Sequence, residues 1–159
     1  MSSTHHRVHR TVLLAFALAA SATAAHAQGM KTGKAQWSPA PPFLPPGAKM
    51  MVQSGNPGAA GPFTLLLALP NKYKVPPHWH PTDERVTVKS GTFLYGMGDT
   101  MAPDAMKTLK KGGDVNLVAK MHHSAMARGR TVIEIQSTGP FEITYVNAAD
   151  DPRGAGGKK

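Results

Sequence analysis

The stretch from Pro76 to Gly91, PPHWHPTDERVTVKSG, limits the fold more than any other part of the chain. His78 and His80 stand two apart, so on an extended backbone both imidazoles leave the same face. Glu84 follows four residues later, an even offset that returns a carboxylate to that face after a short bend. Glu84, Val86 and Val88 then alternate with Arg85, Thr87 and Lys89, the pattern of a strand with one buried face. That face carries two imidazoles and a carboxylate inward. Groups of this kind must be neutralised and satisfied in an interior, and a divalent metal does both.

The other histidines sharpen this reading. Of eight, His5, His6, His9 and His26 lie in residues 1–27, which read as an export signal. Arg7 and Arg10 make a positive start, residues 12–20 (VLLAFALAA) are apolar, and Ala25-His26-Ala27 is an A-x-A cleavage site. The apolar run is too short for a membrane anchor, so cleavage is expected after Ala27, with a periplasmic or secreted product that no longer contacts membrane. His78, His80, His122 and His123 remain, in two tight groups. The chain has no cysteine, which excludes disulfides, blue-copper sites and thiolate zinc sites and leaves N and O donors. The leader carries two arginines and no acid, so the formal charge falls from +9 to +7 after it. The remaining bases are scattered singly or in pairs without aromatic interleaving, which argues against a nucleic-acid partner.

Along the rest of the chain, residues 28–47 hold five prolines after position 38 and read as an extended arm, with Trp37, Phe43 and Leu44 pinned against the body. Strand patterns follow at 49–53, 63–69, 76–89, 92–97, 115–118, 121–127, 130–136 and 141–146, with a hairpin turn expected at Lys89-Ser90-Gly91. Residues 101–111 read as a short helix or an irregular loop, and 148–159 as a flexible tail. Eight short strands with regular turn signals predict one all-β domain over 48–147, a closed barrel or sandwich.

His78-x-His80-x3-Glu84-x6-Gly91 resembles the first motif of the cupin superfamily at its His, His, Glu and final Gly; Lys72 stands where that motif opens on Gly. The second cupin motif, laid on Gly112, meets Val118 in place of Pro, Lys120 in place of Gly, His123 at its His and Ala127 in place of Asn. The resemblance implies a double-stranded β-helix (jelly-roll, cupin) barrel in which three histidines and one glutamate hold one divalent transition metal. The ligands would be His78, His80, Glu84 and His123. Adjacent strand residues point to opposite faces, so only one of His122 and His123 enters the barrel. His123 is the expected ligand, which makes His122 a rim residue, an alternative ligand or a support behind the ligands. Phe93, Tyr95, Phe141 and Tyr145 are expected to line the pocket, Trp79 to pack outside it, and Lys120 to be exposed near its mouth.

Two functional classes follow. The first is a metal-dependent enzyme, which similarity to small cupins makes a dioxygenase-like oxidoreductase on a small organic substrate; isomerase or lyase chemistry is the other enzymatic route. The second is a non-catalytic exported protein that binds a metal or small ligand. Fe, Mn, Ni, Cu and Zn all suit the donor set, and a homodimer through barrel edges is left open.

Overall fold

The computed structural model describes Met1 and residues 36–154; the expected export signal and the start of the arm lie outside the described residues. Nine strands account for the secondary structure: β1 (Ser38–Pro39), β2 (Lys49–Ser54), β3 (Gly61–Leu69), β4 (Lys74–Trp79), β5 (Glu84–Met97), β6 (Lys107–Lys110), β7 (Asp114–Leu117), β8 (His123–Gly139) and β9 (Thr144–Tyr145). Only two single-turn 3-10 helices, Pro103–Ala105 and Ala148–Asp150, interrupt them among the described residues.

The framework is the antiparallel pair of β5 and β8, joined from Glu84↔Ser137 to Met97↔His123. Each of these strands bends midway, and on either side of the bend it meets different partners. Below the bend β5 pairs with β7, and above it with β6. On the other edge of β8, residues 131–139 pair with β3, while its opening residues pair with β4. β2 and β1 extend the first half-sheet beyond β3, and β9 extends the second beyond β4. The two half-sheets wrap face to face as an all-β double-stranded β-helix, the architecture that the motif resemblance implies.

The continuity of β5 and β8 corrects the sequence reading, which broke each in two. Gly91 does not close a hairpin; it sits at φ 81° with β5 continuing past it. A Cβ at Gly91 would stand 2.4 Å from the Arg130 carbonyl oxygen, so the two backbones approach there as no side chain permits. Thr131 repairs the interrupted ladder: its Oγ1 donates to the Thr92 carbonyl (3.0 Å) and accepts from the Thr92 amide (3.1 Å). Residues 107–110, expected as helix or loop, form an edge strand instead. Lysines at both of its ends keep that edge solvated.

Inward side chains come from the alternate positions of both half-sheets: Phe63, Leu65, Leu67 and Leu69 of β3, Val86 and Val88 of β5, and Ile133 and Ile135 of β8, against Phe93, Ala125 and Tyr145. Each fully buried aliphatic side chain contributes about 1.5–3 kcal/mol. This apolar packing fills most of the barrel; beside it the buried polar residues, among those described, are His78, His80, Glu84, His123, Ser124 and Thr131.

Candidate metal centre

His78 is the penultimate residue of β4, His123 opens β8, and the two are paired directly across the sheet with ring centroids 4.2 Å apart. His80 follows β4 in the connection to β5, and Glu84 opens β5 on the facing half-sheet. The four residues therefore come from both walls of the barrel. All are buried: His78 is 4% exposed, His80 4%, Glu84 5% and His123 2%.

Each imidazole is held by its Nδ1. His78 Nδ1 lies 2.7 Å from the Pro76 carbonyl, His80 Nδ1 2.6 Å from the Glu142 carbonyl, and His123 Nδ1 2.9 Å from the Met121 carbonyl. A carbonyl only accepts, so each Nδ1 donates and each Nε2 keeps its lone pair. One ring nitrogen of each histidine lies within 4.8 Å of the others, close enough to hold a metal ion. Glu84 Oε2 stands 3.5 Å from both His80 Nε2 and His123 Nε2. Those two Nε2 atoms have no hydrogen-bond partner among the described residues. Buried polar atoms are rarely left so, and here both lone pairs and a carboxylate point at one spot. Backbone carbonyls behind the outer nitrogens of three imidazoles are the usual support of metal-ligating histidine. The donor set fits a divalent transition metal.

Electrostatics point the same way. Burial, aided by the nearby His123 and His80 rings, holds His78 down to about 3, and burial likewise lowers His80. The Glu84 carboxyl meets opposed effects: burial raises it, while His80 first, and then His123, pull it down to about 2. At pH 7 these shifts leave His78 and His80 neutral and Glu84 ionised, the states in which imidazole and carboxylate donate to a metal.

The connection that carries His80 is pinned on both sides. Ser137 Oγ donates to the Asp83 carbonyl (2.6 Å), Thr82 Oγ1 donates to the Thr138 carbonyl (2.9 Å), and Asp83 Oδ1 accepts from the Ala119 amide (2.8 Å). The Lys120 amide donates to the His80 carbonyl (2.8 Å). Phe141 stacks on the His80 ring at 4.5 Å between centroids and 18° between planes.

His122 points away from the centre, its side chain 39% exposed, with its Nδ1 2.6 Å from Asp99. Lys120 is exposed and adopts φ 63°, and Lys72 adopts φ 62°. Both stand where the motif resemblance implies glycine, and both adopt the left-handed backbone that glycine adopts most readily.

Beside the four residues lies a cavity of about 40 Å³ with apolar walls. Of the four residues considered for the pocket wall, Phe93 and Phe141 line this cavity and Tyr95 and Tyr145 do not. The Tyr145 hydroxyl turns outward to donate to the Phe43 carbonyl (2.8 Å), and the Tyr95 ring, half-buried, has Lys107 Nζ 6.0 Å from its centroid. Phe43, Leu44 and Tyr73, unforeseen as lining, complete the wall.

No family model matches the chain, and no curated protein is similar to it in sequence. Solved structures are. A putative acetylacetone dioxygenase from Methylibium petroleiphilum superposes with TM-score 0.57 at 17% identity, over 77% of this chain and 83% of that one. An RmlC-like cupin from Shewanella frigidimarina gives TM-score 0.53 at 11% identity, over 66% and 84%. The polyketide cyclase RemF from Streptomyces resistomycificus gives 0.52 at 14%, over 66% and 75%. The protein has the cupin fold.

Proposed function

We propose that this cupin barrel is a mononuclear-metal oxidoreductase of the dioxygenase type, acting on a small organic substrate, with His78, His80, Glu84 and His123 as ligands. The observation that carries the reading is the pair of buried, unpartnered Nε2 atoms on His80 and His123, each 3.5 Å from the same carboxylate oxygen. A bound ion would supply Lewis acidity and, if redox-active, electrons for oxygen chemistry. The protein's part is to orient and to exclude water. Backbone carbonyls fix the three tautomers, Phe141 fixes the plane of His80, and apolar walls keep bulk solvent out. Among the described residues, the only ionisable side chain lining the cavity besides the four proposed ligands is Tyr73, whose hydroxyl donates to the Pro45 carbonyl. General acid–base work by the protein is therefore minimal, which suits oxygen chemistry better than an isomerase or lyase that must move protons. The neighbour named a putative acetylacetone dioxygenase supports the same choice.

Elemental analysis of the purified wild type, His80→Ala, His123→Ala and His122→Ala tests the reading. Near-stoichiometric transition metal is expected in the wild type and in His122→Ala, and its loss in the other two. A well-folded wild type without metal would sink it. The small cavity, about 40 Å³, favours a second reading, a non-catalytic metal-binding protein. A metal-replete wild type that never consumes O2 with any small ketone or phenol would favour that one.

A further inference from the structure

The Pro-rich segment before β2 is built into the wall of the candidate site. The Ala40 amide donates to the Ala48 carbonyl (3.0 Å), closing residues 41–47 into a loop, and the Leu44 amide donates to the Pro41 carbonyl (3.0 Å). Two tyrosine hydroxyls clamp this loop to the barrel, Tyr145 on the Phe43 carbonyl and Tyr73 on the Pro45 carbonyl. Between the clamps, Phe43 and Leu44 turn inward and pack on the core. On one side of them lies the 40 Å³ cavity beside the histidines, which has room for a few water-sized groups and no organic molecule. On the other lies a groove of about 310 Å³. The two spaces share Phe43, Leu44, Leu67, Ile135 and Phe141 as walls, and Phe141 is the ring stacked on His80.

We propose that the outer groove receives the apolar body of the substrate and that Phe43 and Leu44 form the partition past which its reacting end reaches the metal cavity. The role of that reacting end rests on the metal-centre reading; the groove as a binding site does not. The chemistry of the walls names the class of ligand. Among the described residues no ionisable side chain lines the groove; the walls it does not share with the inner cavity include Met50, Val52, Pro57 and Leu65, and its one amide side chain, Asn56, has its oxygen engaged by the Gly58 amide at 2.9 Å. A charged ligand would be desolvated there without a partner. The ligand is therefore uncharged and largely apolar, and on the metal-centre reading its reacting end carries an oxygen that an ion can bind. At about 310 Å³ the groove has the size of ordinary small-molecule sites, and the inner cavity does not.

The test uses 4-fluoroacetophenone and its 19F resonance. With metal-free wild type the line broadens saturably. Val52→Trp, which fills the groove from β2, weakens binding at least tenfold, and Met50→Trp serves if that variant does not fold. Val118→Trp, at an exposed position elsewhere, leaves binding unchanged. No broadening with wild type, or equal broadening with Val52→Trp, overturns the groove. Loading with Mn(II) then adds paramagnetic broadening to the bound probe that Zn(II) does not, and Phe43→Ala increases it by opening the partition. Binding without a Mn(II) effect, or an effect that Phe43→Ala leaves unchanged, overturns the link between groove and centre. A wild type that takes up neither ion defeats the metal reading and the substrate role with it, while the metal-free titration still decides the groove by itself.

Discussion

At the scale of single residues, the spacing of His78, His80 and Glu84 was enough to put their side chains together, because the pleat sends alternate residues to one face. The same pleat lets only one of His122 and His123 face the barrel, the second motif singled out His123, and the structure buries His123 while leaving His122 at the rim beside Asp99. What no local pattern shows is how the rings are oriented: the carbonyl that holds His80 belongs to Glu142, 62 residues away. The burial of these rings has a consequence for the metal-free protein. In the unfolded chain His78 and His80 protonate near 6.5, whereas burial holds His78 at about 3 and lowers His80 in the folded state. Between those values the unfolded chain binds protons that the folded one refuses, so stability falls as pH falls from about 6.5 towards 3. The slope is up to about 1.4 kcal/mol per pH unit for each such ring. Urea midpoints of the metal-free protein at pH 7, 6, 5 and 4 should decline in order. A flat profile would mean that the rings are not buried as described.

At the scale of elements, the alternation of Val86, Val88, Ile133 and Ile135 located the strands, but glycine misled the reading of their ends. Gly91 reads as a turn from sequence because glycine usually marks one; here it lets a long strand bend past another. The neighbouring bend at Gly129 (φ 74°) makes the comparison that tests this. A Cβ at Gly129 meets nothing within 4 Å, so Gly129→Ala costs only the left-handed backbone, about 1–2 kcal/mol. A Cβ at Gly91 meets the Arg130 carbonyl oxygen at 2.4 Å and the Thr131 Cα at 2.7 Å, both backbone atoms with nowhere to move. Gly91→Ala therefore pays the same backbone cost plus displacement of β8, and should exceed its counterpart by about 2 kcal/mol or more. Equal losses in equilibrium urea unfolding would contradict the close approach. Strand β6 escaped notice for another reason: an edge strand of Lys, Thr, Leu and Lys buries too little for hydrophobic alternation to show it.

At the scale of the whole molecule, the double-stranded β-helix was legible because its two motifs fall where the strands converge, at Glu84 and His123. The role of the Pro-rich loop was not, since it depends on Tyr73 and Tyr145 meeting carbonyls 28 and 102 residues earlier in the chain. The centre also has a mechanical place in the fold. His78 and His123 belong to one half-sheet and Glu84 to the other, so an ion among them would tie together the two walls of the barrel. An ion that binds the folded chain and not the unfolded one stabilises it by about 4 kcal/mol at a thousandfold excess over Kd. For a barrel of this size that raises Tm by roughly 10–20 °C. Titrating chelator-stripped protein with Fe(II), Mn(II), Ni(II), Cu(II) and Zn(II) should raise Tm with at least one of them, and chelator should reverse the rise. His80→Ala should lose the response, because it removes the donor that stands between the walls, while His122→Ala should keep it. A Tm that no ion moves would mean that the four side chains meet for packing alone, and the unpartnered nitrogens of His80 and His123 would then be a cost the fold bears without return.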